Sequence, residues 1–322
     1  MNPQETKSVL TIALMAAFSD GLKDESERAA VKRVADALGP EAGFDLPGLY
    51  REVLLAKPDL ATVAAALQSQ ESRQLAYEMA VGVCDADGAQ GPQEQAFLAG
   101  LAEALGLSAA AASATSARAD EVADAAFAPT EPPATAASTP VSGTVMGKAN
   151  IPDAEMDKLI LNGAITNAAL ELLPESLASM AIIPLQLRLV YRIGKAHGYE
   201  MDRTHAKDFL ATLGVGLTSQ YLEQFGRKLL GGLLGGLGGG LGRSVGRQAA
   251  SSGLTFATTY ALGRVAQRYY AAGRTIDAAT LKQTFAGLLD EARGLAPRYR
   301  EQIEQKASTI DVRSLASLVR QA

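Results

Sequence analysis

Residues 86–106 read ADGAQGPQEQAFLAGLAEALG, and residues 19–39 read SDGLKDESERAAVKRVADALG. Set one over the other, Asp20 falls on Asp87, Gly21 on Gly88, Glu27 on Glu94, Val34 on Leu101, and Ala37-Leu38-Gly39 on Ala104-Leu105-Gly106, at a constant offset of 67 residues. Self-similarity at a fixed offset marks one supersecondary unit used twice. Each copy has an apolar helical stretch, an Asp-Gly turn and a second helix closed by glycine, a common helix stop. Between the copies, LPGLYREVLLAKP and LATVAAALQ supply shorter helices. Residues 1–107 are therefore expected to form an all-α bundle with pseudo-two-fold symmetry.

Composition points the same way for the whole chain of 322 residues. Hydrophobic residues make up 48% and exclude global disorder, while aromatics are only 5% and tryptophan is absent. Alanine and leucine dominate, which favours helix over sheet. The single Cys84 excludes an intramolecular disulfide and any cysteine-based zinc site. The start MNPQETKSVL lacks the basic and apolar pattern of a secretory signal, so a cytoplasmic chain is expected. The net charge of −5 hides an asymmetry: residues 1–107 carry 16 acids and 8 bases, residues 153–322 carry 15 acids and 20 bases. An acidic front and a basic back suggest different partners for each, or contact with one another.

Between them, residues 108–152 are rich in Ala, Ser, Thr and Pro, with few large apolar residues. This stretch reads as a disordered linker with a short helix near 118–127. Proteolysis is expected to cut there and release two stable helical parts.

The front bundle, with its acidic turns DGLKDESE and DADGAQGPQE, resembles the TerB-like family, linked to tellurite resistance and also found ahead of a J-domain in some co-chaperones. The resemblance runs over roughly residues 5–107 and implies a cation-associated acidic surface. Against the twelve-position calcium loop, the second copy supplies Asp85, Asp87, Gly88 and Glu94, but Val83 takes the first ligand position. The first copy supplies Asp20, Gly21, Asp24 and Glu27, with Ala16 and Phe18 at the first and third positions. Neither loop is complete alone. If the two copies face each other, Asp20, Asp24, Glu27, Asp85, Asp87 and Glu94 could share one divalent cation (calcium, magnesium or manganese) or one cationic partner. The plainer alternative is that the aspartates occupy tight turns and the glutamates favour early helical turns. Both readings stay open.

From residue 158 to 290 the chain is apolar and helical, with Pro174 and Pro184 expected to start or kink helices. The run GRKLLGGLLGGLGGGLGRSVGRQ spaces glycines four apart, as at Gly231, Gly235 and Gly239. Such spacing lets helix backbones approach closely, whereas in a lone helix in water each glycine costs about 1 kcal/mol relative to alanine. The segment therefore needs a partner: a membrane, or a second copy of the chain. No acid lies between Glu223 and Asp277, while Arg227, Lys228, Arg243, Arg247, Arg264, Arg268 and Arg274 do. Uncharged runs at 229–242 and 248–263 are shorter than the roughly 20 residues of a plain span. A basic glycine-rich hairpin lying on, or dipping into, an anionic leaflet fits this pattern. Nucleic acid fits less well, because the bases are spread over an apolar region without an aromatic platform.

LPESLASMAIIPLQLRLVYRIGKAHGYEM followed by ATTYALGRVAQRYYAAGR resembles the YcjF-type family of bacterial proteins, a domain of unknown function that recurs in inner-membrane proteins and behind small GTPase domains. It covers about residues 160–290. It implies a second helical domain over 153–322 at the cytoplasmic face of the inner membrane, peripheral or partly inserted. No GTPase domain accompanies it.

Catalytic patterns are few. GRSVG at 242–246 matches the nucleophile elbow, but both histidines, His197 and His205, precede it, whereas the triad acid and histidine should follow. They read as a helix-end and a surface histidine. No Walker loop or G-x-G-x-x-G occurs, and Cys84 beside acids is not an activated thiol. The expected function is non-enzymatic: a membrane-associated adaptor or stress-response protein whose acidic module takes a cation or an unknown protein partner. A soluble oligomeric scaffold is the first alternative and a metal-dependent hydrolase the second.

Overall fold

The computed structural model describes residues 2–21, 29, 31–32, 35–36, 45–86, 90–128, 149–173, 176–213, 217–230 and 241–322. Every regular element among them is a helix, so the fold is all-α. In chain order these are α1 (Pro3–Ala17), α2 (Leu46–Ala56), α3 (Leu60–Ala65), α4 (Gln70–Cys84), α5 (Pro92–Ala104), α6 (Ala109–Ala125), α7 (Asp153–Glu171), α8 (Ser176–Met180), α9 (Ile182–Ala196), α10 (Arg203–Thr212), α11 (Leu217–Leu230), α12 (Leu241–Ala271), α13 (Ala278–Leu295), α14 (Arg300–Thr309) and α15 (Leu315–Gln321). Short 3-10 turns at Ala296–Tyr299 and Val312–Ser314 precede α14 and α15.

Helix starts follow local chemistry. Asp45, Asp59 and Asp277 each accept a backbone N–H in the first turn, from Gly48 (2.8 Å), Thr62 (2.9 Å) and Thr280 (3.0 Å). A helix leaves its first N–H groups unpaired, and a short acidic side chain just ahead of it satisfies one. Gly106 closes α5 with φ +66°. The N–H groups of Gly106 and Leu107 reach back to the carbonyls of Glu103 and Ala102.

The repeat is carried by the structure. Helices α1 and α4 are each 15 residues long, and 70 − 3 = 67 is the offset of the sequence copies. Their N-caps, Asn2 and Ser69, and their C-caps, Phe18 and Asp85, stand at that offset as well. The two helices pack together. Their buried faces correspond position by position: Val9 with Ala76, Ile12 with Met79, Ala13 with Ala80, Ala17 with Cys84. In the second helices, buried Val31 and Ala35 match buried Leu98 and Ala102.

The chain forms two compact units that do not follow the boundaries expected at 107 and 153. The first comprises residues 1–123, 174–180 and 214–251; the second comprises 124–173, 181–213 and 252–322. Within the first unit α11 packs against α1 and α4, and α8 against α4 and α11. Tyr221 of α11 is buried and donates its hydroxyl to the Met180 carbonyl (3.3 Å). Periodicity shows that α11 is amphipathic but not which partner buries its apolar face.

Residues 109–125, read as linker, form α6, longer than the helix expected near 118–127. Ala112, Thr115, Ala119 and Val122 fall three or four apart and are buried. Small residues at that spacing make a stripe that packs closely, and alanine is the strongest helix former. Counting only large apolar residues hides such a stripe. Ser108 bonds the Ala111 N–H (3.2 Å), and Gln74 reaches Thr115 (3.4 Å). The rest of the expected linker, residues 129–148, lies outside the described residues.

In the second unit, α7 packs against α9 and α14. Phe256 of α12 is fully buried among Ala164, Ile165, Ala168 and Ile303, and its ring stacks on Tyr260 and Tyr299 at 6.0 and 5.4 Å. Arg188 of α9 is also buried. Its guanidinium donates to the carbonyls of Ala126, Ala128 and Arg320 (3.3 Å to Ala126, 2.9 Å to Arg320) and stands over the Tyr191 ring. The Ala126 and Ala128 carbonyls stand in the turn just after α6 and that of Arg320 in the last turn of α15, where the helix dipole is negative, so one buried cation serves two helix ends.

Candidate functional site

The acidic turns lie in the first unit. Asp20 is half-buried in the turn after α1. Asp85 is buried and caps the C-terminus of α4. Glu94 sits in the first turn of α5, where its carboxylate accepts the Gly91 N–H at 2.6 Å. Asp24, Glu27 and Asp87 lie outside the described residues.

What the tertiary structure adds is convergence. The buried Cys84 thiol is pushed well above its ordinary value, first by burial and then by Glu94, with Asp20 and Asp85 adding to it; the Ser19 hydroxyl acts the other way. Acids from both copies, 65 or more residues apart in sequence, thus gather around one thiol. Asp85 also adds to the burial that raises the Tyr221 phenol. The thiol is inert as a nucleophile, because burial and negative neighbours both disfavour thiolate.

Parts of both twelve-position loops, residues 22–27 and 87–89, lie outside the described residues. Val83 and Ala16, their first positions, are buried inside α4 and α1. Neither side chain carries an oxygen ligand. Among the described residues, no three His, Cys, Asp or Glu side chains form a group able to hold a metal ion.

The residues of the basic, glycine-rich stretch fall into three sets. Gly231, Gly235 and Gly239 lie outside the described residues. Arg227 and Lys228 are in α11 and Arg243 and Arg247 in α12; their backbones are helical and their side chains are outside the description. Arg264 and Arg268 are described in full. Arg268 is exposed. Arg264 is engaged inside the second unit: it pairs with Asp157 of α7, bonds the Tyr260 hydroxyl (3.0 and 3.1 Å) and stands over the Tyr260 ring. Arg274 likewise bonds the Tyr269 side chain and stands 5.9 Å over the Tyr199 ring. The 224–276 window lacks acids, but Asp157 is supplied from a distant helix.

Ser244 of GRSVG lies within α12, so no strand-to-helix elbow forms there. His197 is the buried C-cap of α9, and the half-exposed His205 ring meets Asp202 at 2.8 Å. Sequence reasoning missed two features altogether: buried Arg188, and a groove in the second unit lined by Lys158, Arg192 and Lys306. Neither has a motif, since their parts come from separate helices. Compared with known proteins, the chain matches no family model, no curated protein and no solved structure.

Proposed function

We propose that the chain is a non-enzymatic adaptor at an anionic membrane surface. Its front unit offers the acids of both repeat copies to a divalent cation or a basic segment of a partner protein, and its acid-free basic stretch attracts the membrane. The observation that carries this reading is the 67-residue repeat of the acidic turns, with Asp20 and Asp85 standing just beyond the C-terminal ends of the packed helices α1 and α4. The membrane half rests on the charge pattern between Glu223 and Asp277. No helix among the described residues is long and apolar enough to cross a membrane, which is compatible with peripheral attachment. With Arg264 held by Asp157, the attraction falls to Arg227, Lys228, Arg243, Arg247, Arg268 and Arg274. The TerB-like and YcjF-type resemblances, and with them a place at the cytoplasmic face in a tellurite-type stress response, belong to this proposal.

Two measurements on the full chain test its halves. Co-sedimentation with anionic vesicles is expected at low salt and weakens at about 0.5 M salt, where the Debye length is a few ångströms. A chain that stays in the supernatant at low salt is a soluble scaffold instead. Calcium or manganese should raise the melting temperature, since a ligand that prefers the native state stabilises it, and Asp87→Asn with Glu94→Gln should remove the gain. No shift with any divalent ion leaves only the protein partner for the acidic site.

A further inference from the structure

The groove in the second unit has a volume of about 510 Å³ and lies among α7, α9, α14 and α15. Its lining includes three bases, Lys158, Arg192 and Lys306, and one acidic side chain, Glu155. It also includes the apolar side chains of Leu159, Leu189 and Leu318. Arg192 is half-buried, and burial lowers its pKa while Glu155 raises it. Among the described residues its guanidinium makes no hydrogen bond and no ion pair, nor do the ammonium groups of Lys158 and Lys306. This sets the groove apart from the rest of the unit, where buried or half-buried arginines have partners: Arg188 three carbonyls, Arg264 Asp157 and Tyr260, Arg203 Asp124.

A half-buried guanidinium without an acceptor is an incomplete arrangement. Its planar fork matches a carboxylate or phosphate, and partial burial strengthens the attraction relative to open water. A purely polar anion would leave the leucine wall unused, and a neutral apolar molecule would leave three bases unmatched. A groove of this size with an apolar wall and convergent polar groups suits a small molecule with one anionic end. We propose that this groove binds an anionic amphiphile: a single acyl chain on Leu159, Leu189 and Leu318, with its carboxylate or phosphate on Arg192, Lys158 and Lys306. The site is independent of vesicle docking by the 224–276 stretch, and it is tested without vesicles.

Titration calorimetry of the full chain, with ligands below their micelle concentration, tests it. Decanoate and a lysophosphatidate are the probes, and inorganic phosphate and the neutral decyl maltoside are the controls. One site per chain for at least one anionic amphiphile is expected, with much weaker binding of both controls. The preferred probe distinguishes a fatty-acid from a lysolipid source. Arg192→Gln should weaken binding at least about tenfold, as for loss of a charge-assisted hydrogen bond. Should that variant fold poorly, Lys158→Gln with Lys306→Gln, both at accessible positions, should show the same loss. The proposal is overturned if neither anionic amphiphile binds, if phosphate or decyl maltoside binds as tightly, or if a folded variant binds like the unaltered chain.

Discussion

Glu5 shows how much one side chain can join. Its carboxylate accepts the Asn2 N–H (3.0 Å) while the Asn2 side chain accepts the Glu5 N–H (2.8 Å), a reciprocal cap on α1. The other carboxylate oxygen reaches the Gln68 N–H and the Ser72 hydroxyl, both at 3.3 Å, at the start of α4. One acid thereby ties together the starts of the two repeat helices. The Asn2 N–H leads in holding its pKa below the ordinary 4.5, against the opposing effect of burial, with Gln68 and Ser72 adding to the lowering. Because the folded value is the lower one, ionised Glu5 contributes stability above the ordinary pKa, and that contribution is lost as pH falls through the folded value. Glu5→Gln should therefore cost about 1 kcal/mol at neutral pH, as for loss of a helix cap, and the difference from the unaltered chain should shrink in acid. Urea denaturation across pH measures it. A difference that does not change with pH would mean that the carboxylate acts through shape alone.

At the scale of elements, glycine acts where helices meet. A Cβ on Gly263 of α12 would stand 2.8 Å from Ile160 of α7 and 3.2 Å from Leu189 of α9. Ile160 is fully buried and Leu189 nearly so, which leaves no room to give way. Gly263→Ala should destabilise the chain by about 1–3 kcal/mol through overpacking, less the roughly 1 kcal/mol that alanine returns in helix propensity. In α13, a Cβ on Gly287 would meet nothing within 4 Å. Gly287→Ala should therefore stabilise by about 1 kcal/mol. Thermal melts of the two variants should move in opposite directions; a shared direction would remove the close-approach account of Gly263. The glycine ladder at 231–239 attracts the eye in the sequence, yet nothing in its spacing distinguishes Gly263, whose neighbours come from α7 and α9.

For the whole molecule, the first unit borrows from the back half of the chain. Tyr221, Leu222 and Leu229 of α11 are buried there. Burying each such side chain stabilises by about 1.5–3 kcal/mol, and a domain has about 5–15 kcal/mol of stability in total. Losing all three would remove much of that margin. A fragment of residues 1–128 should therefore unfold at a lower urea concentration than the full chain and bind a hydrophobic dye through the uncovered faces of α1 and α4. A fragment as stable as the full chain, and silent to the dye, would restore the simple division at 107 that composition suggests.

The sequence by itself determined the helical class and the repeat at offset 67, and the helix starts at Asp45, Asp59 and Asp277 are set locally. These are short-range matters: a cap reaches two or three residues, and an amphipathic stripe recurs every three or four. Only the tertiary structure decided the remainder. Asp157 neutralises Arg264 across 107 residues, and Arg188 collects carbonyls 62, 60 and 132 residues away. Asp20, Asp85 and Glu94 act on the same Cys84 thiol because α1 packs on α4, and Arg192 and Lys306 line one groove because α9 and α14 both pack on α7. In each case the chemistry depends on which helix faces which, and periodicity shows that a face must be buried without naming what buries it.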